Sequence, residues 1–119
     1  MYESSLIARY EPLRYLDAAA IAAGGWCAIP PEFTHSIRLI RITNATDADL
    51  EFTYNTDRAE IFVPAYTSYV DDIAANAFKT DLSGILILPL GFMLYVRMDT
   101  EIPSIKGVYV SAMYGDDAR

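Results

Sequence analysis

The sequence is poor in the groups that most enzymes work with. Its 119 residues include one cysteine, Cys27, and one histidine, His35. A single thiol excludes an intrachain disulfide. Lying between Trp26 and Ala28, Cys27 reads as a small buried hydrophobe rather than a nucleophile. One His and one Cys cannot complete a zinc centre without carboxylates. There is no G-x-S-x-G elbow and no glycine-rich phosphate loop. A Ser-His-Asp triad would have to use His35, which follows Pro30, Pro31, Phe33 and Thr34 and reads as a loop residue at the surface or an edge. Basic residues are scarce as well. Nine Lys and Arg against sixteen Asp and Glu give a net charge of −7 and a pI near 4.4. That balance argues against a nucleic-acid binder, which needs clustered cations to neutralise phosphates. The one basic cluster, Arg38 and Arg41, sits inside a β pattern. No run approaches the roughly 18 apolar residues of a membrane-spanning helix. The longest, Ile85 to Tyr95, is interrupted by Pro89 and Gly91. Met1 to Arg9 lacks the basic start and sustained apolar stretch of a secretory signal. The expectation is a chain that folds in the cytoplasm of the cell making it, away from membranes.

What is present is apolar and aromatic. A hydrophobic fraction of 53% against 21% charged supplies enough burial to offset the entropy of ordering. A mass of 13.3 kDa is the size of one domain, 1–119. Residues 1–12 read as an N-terminal arm or an edge strand, and 115–119 as an acidic tail that frays. Asp17 to Ala23 is the one helix-like stretch, with Asp17 as cap and Gly24 and Gly25 as stop. A small-residue strand or loop leading to Trp26 competes with it.

From Ser36 onward the pattern is β. Ile37, Leu39, Ile40 and Ile42 form a strand, and Asn44 to Asp49 a polar turn. Leu50, Phe52 and Tyr54 alternate with Glu51 and Thr53 as a half-buried strand. Short strands follow at Ile61 to Val63 and Tyr66 to Val70, the latter ended by Asp71 and Asp72. Ile73 to Gly84 reads as a loop, Ile85 to Leu88 as a short strand, and Pro89 to Gly91 as a turn. Phe92 to Met98 and Val108 to Tyr114 are strong strands. About seven or eight short antiparallel strands with turns between them predict an all-β domain, a β-sandwich or jelly roll.

Candidate chemistry is thin. Asp47, Asp49 and Glu51 suggest calcium, but the glycine of an EF-hand loop is missing and Leu50 and Phe52 impose strand alternation. The plain reading is a solvated turn feeding a strand. Asp71 and Asp72 are adjacent, so on a strand they point to opposite faces and cannot share a substrate. Nothing singles out a carboxylate pair for a small hydrolase. No cofactor, metal or catalytic residue is assigned, and the expectation is a protein that is not an enzyme. The nine Tyr, five Phe and one Trp are more informative, because one small core cannot bury them all. Some serve as amphipathic core-edge residues. Others are expected at a protein–protein interface, where tyrosine gives large area at low entropic cost. Tyr66, Tyr69, Tyr95, Tyr109 and Met113 are the candidates. Sugar stacking on exposed rings, in a carbohydrate-binding sandwich, is the alternative.

The order of segments also carries a resemblance. Ile40 to Phe52 runs strand, Asn-x-Thr-Asp turn, strand. Ile61-Phe62-Val63-Pro64-Ala65 and a strand ending at Asp71 follow. Then come Leu86-Ile87-Leu88-Pro89-Leu90-Gly91, Phe92 to Arg97, and a closing Val108 to Gly115. This pattern, from about Arg38 to Gly115, resembles small virion proteins of tailed bacteriophages. The resemblance implies a β-sandwich repeated on the particle as a capsid decoration, a head-to-tail accessory or a fibre attachment point. It also implies a homo-oligomer docked on other virion proteins, located in the virion, with no cofactor and no catalytic residues.

Overall fold

Strand alternation sets out two sheets. The computed structural model describes residues 6–73 and 91–117. The strands are β1 (Leu6–Tyr10), β2 (Arg14–Asp17), β3 (Cys27–Ile29), β4 (Ile37–Asn44) and β5 (Leu50–Thr53). They continue with β6 (Ile61–Val63), β7 (Thr67–Asp72), β8 (Leu94–Met98) and β9 (Gly107–Asp117). The one helix, α1 (Ala18–Ile21), follows β2. One sheet, five-stranded, runs β1-β9-β4-β7, with β2 pairing β9 beside β1; the other runs β3-β8-β5-β6, and all pairings are antiparallel. The chain is an all-β sandwich. The strands read at Ile85 to Leu88 and the loop after Ile73 lie outside the described residues.

The core lies between the sheets. From the five-stranded sheet it takes Ile37, Ile40, Ile42, Val108, Val110 and Ala112. From the other it takes Ile29, Leu50, Phe52, Val63, Leu94 and Val96. Burying a side chain such as Phe52 is worth roughly 1.5–3 kcal/mol. Their alternate neighbours, Glu51, Tyr95 and Arg97 on one sheet and Tyr109, Ser111 and Met113 on the other, face outward, since successive strand residues take opposite faces.

α1 is a single turn capped as its sequence suggests. The Asp17 carboxylate accepts from the Ala19 N–H at 3.2 Å, and Gly24 and Gly25 follow with left-handed φ of 85° and 74°. Gly107 has a different reason to be glycine. A Cβ there would run into the Leu16 carbonyl oxygen and the Tyr15 ring, so its absence lets β2 lie close against β9.

Several details depart from the sequence reading. Of the two readings of residues 1–12 the edge strand holds, as β1, but a second strand, β2, starts at Arg14 where no strand was expected. Cys27 to Ile29 is also a strand. The tail expected to fray from Gly115 stays paired through Asp117, opposite Leu6. Asp71 and Asp72 do end a strand, as the last two residues of β7. They do take opposite faces: Asp71 sits opposite inward-facing Ile40, and Asp72 opposite Leu39. Burial, with Asp72 beside it, pushes the Asp71 carboxyl above the ordinary carboxylate range.

Tyr54 packs its ring 6.2 Å from that of Phe92. Its hydroxyl is buried without a hydrogen-bond partner among the described residues. Burial pushes this phenol far above its ordinary pKa, with Asp71, Tyr69 and Glu60 adding to the shift. An unpaired buried hydroxyl costs about 1–3 kcal/mol. Tyr54→Phe, which removes only that oxygen, is therefore expected to leave stability unchanged or raise it by about 1 kcal/mol, read as the urea midpoint at constant m.

Candidate functional site

Two constellations stand out: a buried polar knot, and the outer face of the five-stranded sheet. The knot forms where the chain turns between β1 and β2. Glu11 hydrogen-bonds its backbone N–H to the Ala112 carbonyl at 2.9 Å, and strand alternation then turns its side chain inward. The Arg14 Nη2 donates to Glu11 Oε1 at 2.7 Å, with both side chains 1% exposed. Arg14 also donates to the carbonyls of Pro31 at 2.8 Å, Pro12 at 3.2 Å and Glu32 at 3.2 Å. Its guanidinium lies 4.6 Å from the centre of the Phe33 ring. The second Glu11 oxygen accepts from the Thr34 N–H at 2.9 Å, the Thr34 hydroxyl at 3.2 Å and His35 Nδ1 at 2.8 Å. His35 is thus a half-exposed residue of the loop before β4, in keeping with a place at the surface or an edge, but its ring is engaged. Its ring also stacks on Tyr114, with centroids 3.6 Å apart and planes 4° from parallel.

Burial raises the Glu11 carboxyl, but the bonds from Arg14, His35 and Thr34 outweigh it and hold the group below its ordinary value. A carboxylate held by this many donors is fixed in its ionised form and is a poor general acid or base at neutral pH. The knot's chemistry is structural. It fastens the β1–β2 corner to the loop carrying the cis Pro30–Pro31 bond.

The acids considered for calcium are also individually engaged. Asp47 accepts from the Ser104 N–H at 2.8 Å and hydroxyl at 2.5 Å, and these bonds hold its carboxyl below the usual range. Asp49 accepts from the Ala65 N–H at 2.9 Å. Glu51 pairs with Arg97 at 2.7 Å, and Arg97 lies 4.3 Å from the Trp26 ring centre. Each carboxylate closes a loop or a strand pair on its own, and the three do not converge on one point.

The outer face of the five-stranded sheet is different in kind. Register places Tyr15 opposite Tyr109, with ring centroids 4.8 Å apart. It also places Met113 between Tyr10 and Leu39, and Arg41 between Ser111 and Val70. Tyr10 and Leu13 are each 62% exposed, Val70 47%, Tyr15 44% and Tyr109 39%. A hollow of about 440 Å³ opens where β1 turns into β2, lined by Tyr10, Leu13, Leu39, Arg41 and Ser111 with Glu11 at its wall. Large apolar side chains gathered on one exposed sheet face, rather than scattered singly, are the usual mark of a contact surface.

Of the five residues singled out in the sequence, the structure brings Tyr109 and Met113 together on this face. Tyr66 is 64% exposed but stands in the tight turn between β6 and β7, at a left-handed φ of 61°. Tyr69 turns inward opposite Ile42 and packs against the core. Tyr95 lies on the outer side of the other sheet, opposite Ala28 and Thr53. Tyr10, Leu13, Tyr15 and Leu39 complete the face without having been singled out. The signal for Tyr15 was its alternation with Arg14 and Leu16, hidden because Arg14 is charged and yet faces inward. No protein-family model matches this chain, and neither does any curated protein or solved structure.

Proposed function

We propose that this protein is non-enzymatic and works by assembly, oligomerising and docking on neighbouring proteins through the outer face of its five-stranded sheet. The observation that carries this reading is the exposure of Tyr10, Leu13, Tyr15, Tyr109 and Val70 beside Met113 and Leu39 on one sheet face. Tyrosine and methionine suit such contacts, because they bury much area and fix few rotamers. Arg41 stands among them as a cation able to orient a partner's acidic group. The order of segments from Arg38 to Gly115 supports placing this assembly in a tailed-phage virion, as a capsid decoration or a head–tail or fibre-attachment accessory.

Sizing chromatography with light scattering tests the assembly reading. The wild-type chain is expected to form a concentration-dependent oligomer. Tyr109→Glu with Met113→Glu is expected to weaken it by roughly tenfold or more, as for loss of a central contact. A compact monomer at every concentration, or an oligomer indifferent to both substitutions, would overturn the role of this face. The hollow beside Tyr10 favours one second reading, a glycan stacked on that ring. A glycan array that gives binding lost in Tyr10→Ala would select it over assembly.

A further inference from the structure

The hollow where β1 turns into β2 contains a cation that no described residue answers. Arg41 lines it from β4 and is exposed, and its guanidinium makes no ion pair or hydrogen bond among the described residues. The arginines that lie against aromatic rings, Arg14 and Arg97, each have a carboxylate at 2.7 Å. The acid at the wall of the hollow is no partner for Arg41, because both Glu11 oxygens are taken by Arg14, Thr34 and His35. Glu11 and Arg14 also cancel one another in charge. Arg41 therefore leaves the hollow one positive charge in a chain whose net charge is −7.

The surroundings of Arg41 define what can answer it. Register sets Ser111 opposite Arg41 on β9, so a hydroxyl stands beside the cation. Tyr10, Leu13 and Leu39 complete the lining, all without charge. A guanidinium fork matches the two oxygens of a carboxylate, and one fork balances one negative charge. A phosphate dianion would leave a charge unmatched next to the ionised Glu11. The ring of Tyr10 and the two leucines favour apolar matter on either side of the carboxylate. A volume of about 440 Å³ lies at the lower end of the roughly 300–1,000 Å³ of ligand sites, which suits one acidic side chain and its neighbours rather than a packed helix.

We infer that the hollow anchors a different protein by receiving one of its Asp or Glu side chains, flanked by apolar residues. The inference rests on the proposed docking face and names the chemistry of its partner. Of the two roles proposed for that face, self-assembly and docking, the hollow belongs to the second. A two-fold contact centred on the hollow repeats one patch on both sides, so it brings Arg41 to Arg41 of the second copy. The acids bordering the face are committed as well. Asp17 accepts from the Tyr15 hydroxyl at 2.8 Å, and Asp72, opposite Leu39, is not free. Arg41 then acts on partner choice as much as on affinity. A segment with Asn or Lys in place of the acid leaves the guanidinium covered and unpaired, which is costly.

Two tripeptides serve as probes on the full-length protein, acetyl-Leu-Asp-Leu-amide and acetyl-Leu-Asn-Leu-amide, which have nearly the same shape and differ in charge. In nuclear magnetic resonance titrations the Asp peptide is expected to shift the Arg41 Nε–H and the Ser111 amide saturably, with a dissociation constant on the order of millimolar. It is expected to bind roughly fivefold or more tighter than the Asn peptide. Arg41→Gln is expected to erase that preference, and Arg41→Lys, which keeps the charge but not the fork, to retain part of it. Because Arg41 is exposed, both variants are expected to keep the wild-type circular dichroism and urea midpoint. Equal binding of the two peptides, binding of neither, or a preference that survives Arg41→Gln would overturn the inference. Light scattering separates it from the wider reading. An oligomer weakened by Tyr109→Glu with Met113→Glu, but with no Asp preference at Arg41, removes the anchor and leaves assembly through the face standing. An Asp preference in a chain that stays monomeric upholds the anchor and removes self-assembly. If Arg41→Gln itself dissolves the oligomer, a second copy fills the hollow and the inference of a different partner fails.

Discussion

Glu11→Ala is expected to lower the stability of this protein by about 3–5 kcal/mol, the usual cost of stripping one partner from a buried ion pair. The reason lies less in the attraction lost than in what stays behind. Arg14 would remain buried, still held to the carbonyls of Pro12, Pro31 and Glu32, with no anion to offset its charge. Thr34 and His35 would lose their shared acceptor in the same step. Against a total stability of about 5–15 kcal/mol for a small domain, that is a large part of the whole. Glu11→Gln should cost less, because the amide keeps an acceptor oxygen for Thr34 while removing the charge. A matched loss for both variants would show that the charge, and not the hydrogen bonds, is what matters.

The same residue gives the pH dependence a sign. The folded-state pKa of Glu11 lies below its unfolded value of about 4.3. Its contribution is therefore complete above the ordinary carboxylate range and is lost as pH falls through that range toward the lower, folded value. Asp47 acts in the same direction from the surface. Asp71 acts in the opposite direction, because its raised pKa favours the folded state once protonated. Denaturant midpoints from pH 7 down to pH 3 should fall for the wild type. They should fall less steeply for Glu11→Gln.

The Glu11–Arg14 pair also shows why part of the fold was legible in the sequence and part was not. β5 could be read directly, because Leu50 and Phe52 face inward and Glu51 faces outward. β9 was equally plain in Val108, Val110 and Ala112. In β2 the inward residue is Arg14, so alternation assigns it to the surface and the strand disappears from the pattern. Its burial follows from a carboxylate three residues earlier and from carbonyls of a distant loop, which no local period encodes. β4 is legible as a strand but its faces are not. The register shifts between Ile37 and Leu39, and this places Leu39 outward and Ile40 inward within one apolar run. The aromatic face is only half legible in the sequence for the same reason. Tyr109 and Met113 lie on a strand with a clean period, whereas Tyr10 and Tyr15 lie on strands that had none.

Asn44 carries the second large effect, although in the sequence it marks only the start of a turn. It ends β4 in one sheet and is fully buried. Its amide nitrogen donates to the carbonyls of Ala48 at 2.9 Å, Val63 at 3.0 Å and Pro64 at 3.3 Å. Its oxygen accepts from the Thr46 N–H at 3.0 Å and the Thr46 hydroxyl at 2.6 Å. Val63 belongs to β6 in the opposite sheet, so one side chain both shapes the turn and ties the two sheets together. Asn44→Ala leaves the Val63 carbonyl and the Thr46 N–H buried without these partners, at about 1–3 kcal/mol each, so a loss of about 3 kcal/mol or more is expected. Asn44→Asp distinguishes the donor half of this network from the acceptor half. The carboxylate keeps the bonds from Thr46 but turns an acceptor toward three carbonyl oxygens, which repel it. At neutral pH this variant should therefore be less stable than Asn44→Ala. It should recover relative to Asn44→Ala as pH falls, because a protonated carboxyl regains a donor for one carbonyl. Urea unfolding of the two variants at pH 7 and pH 4 measures this. If the gap between them does not narrow from pH 7 to pH 4, the amide's donors are not what holds the sheets together at this end.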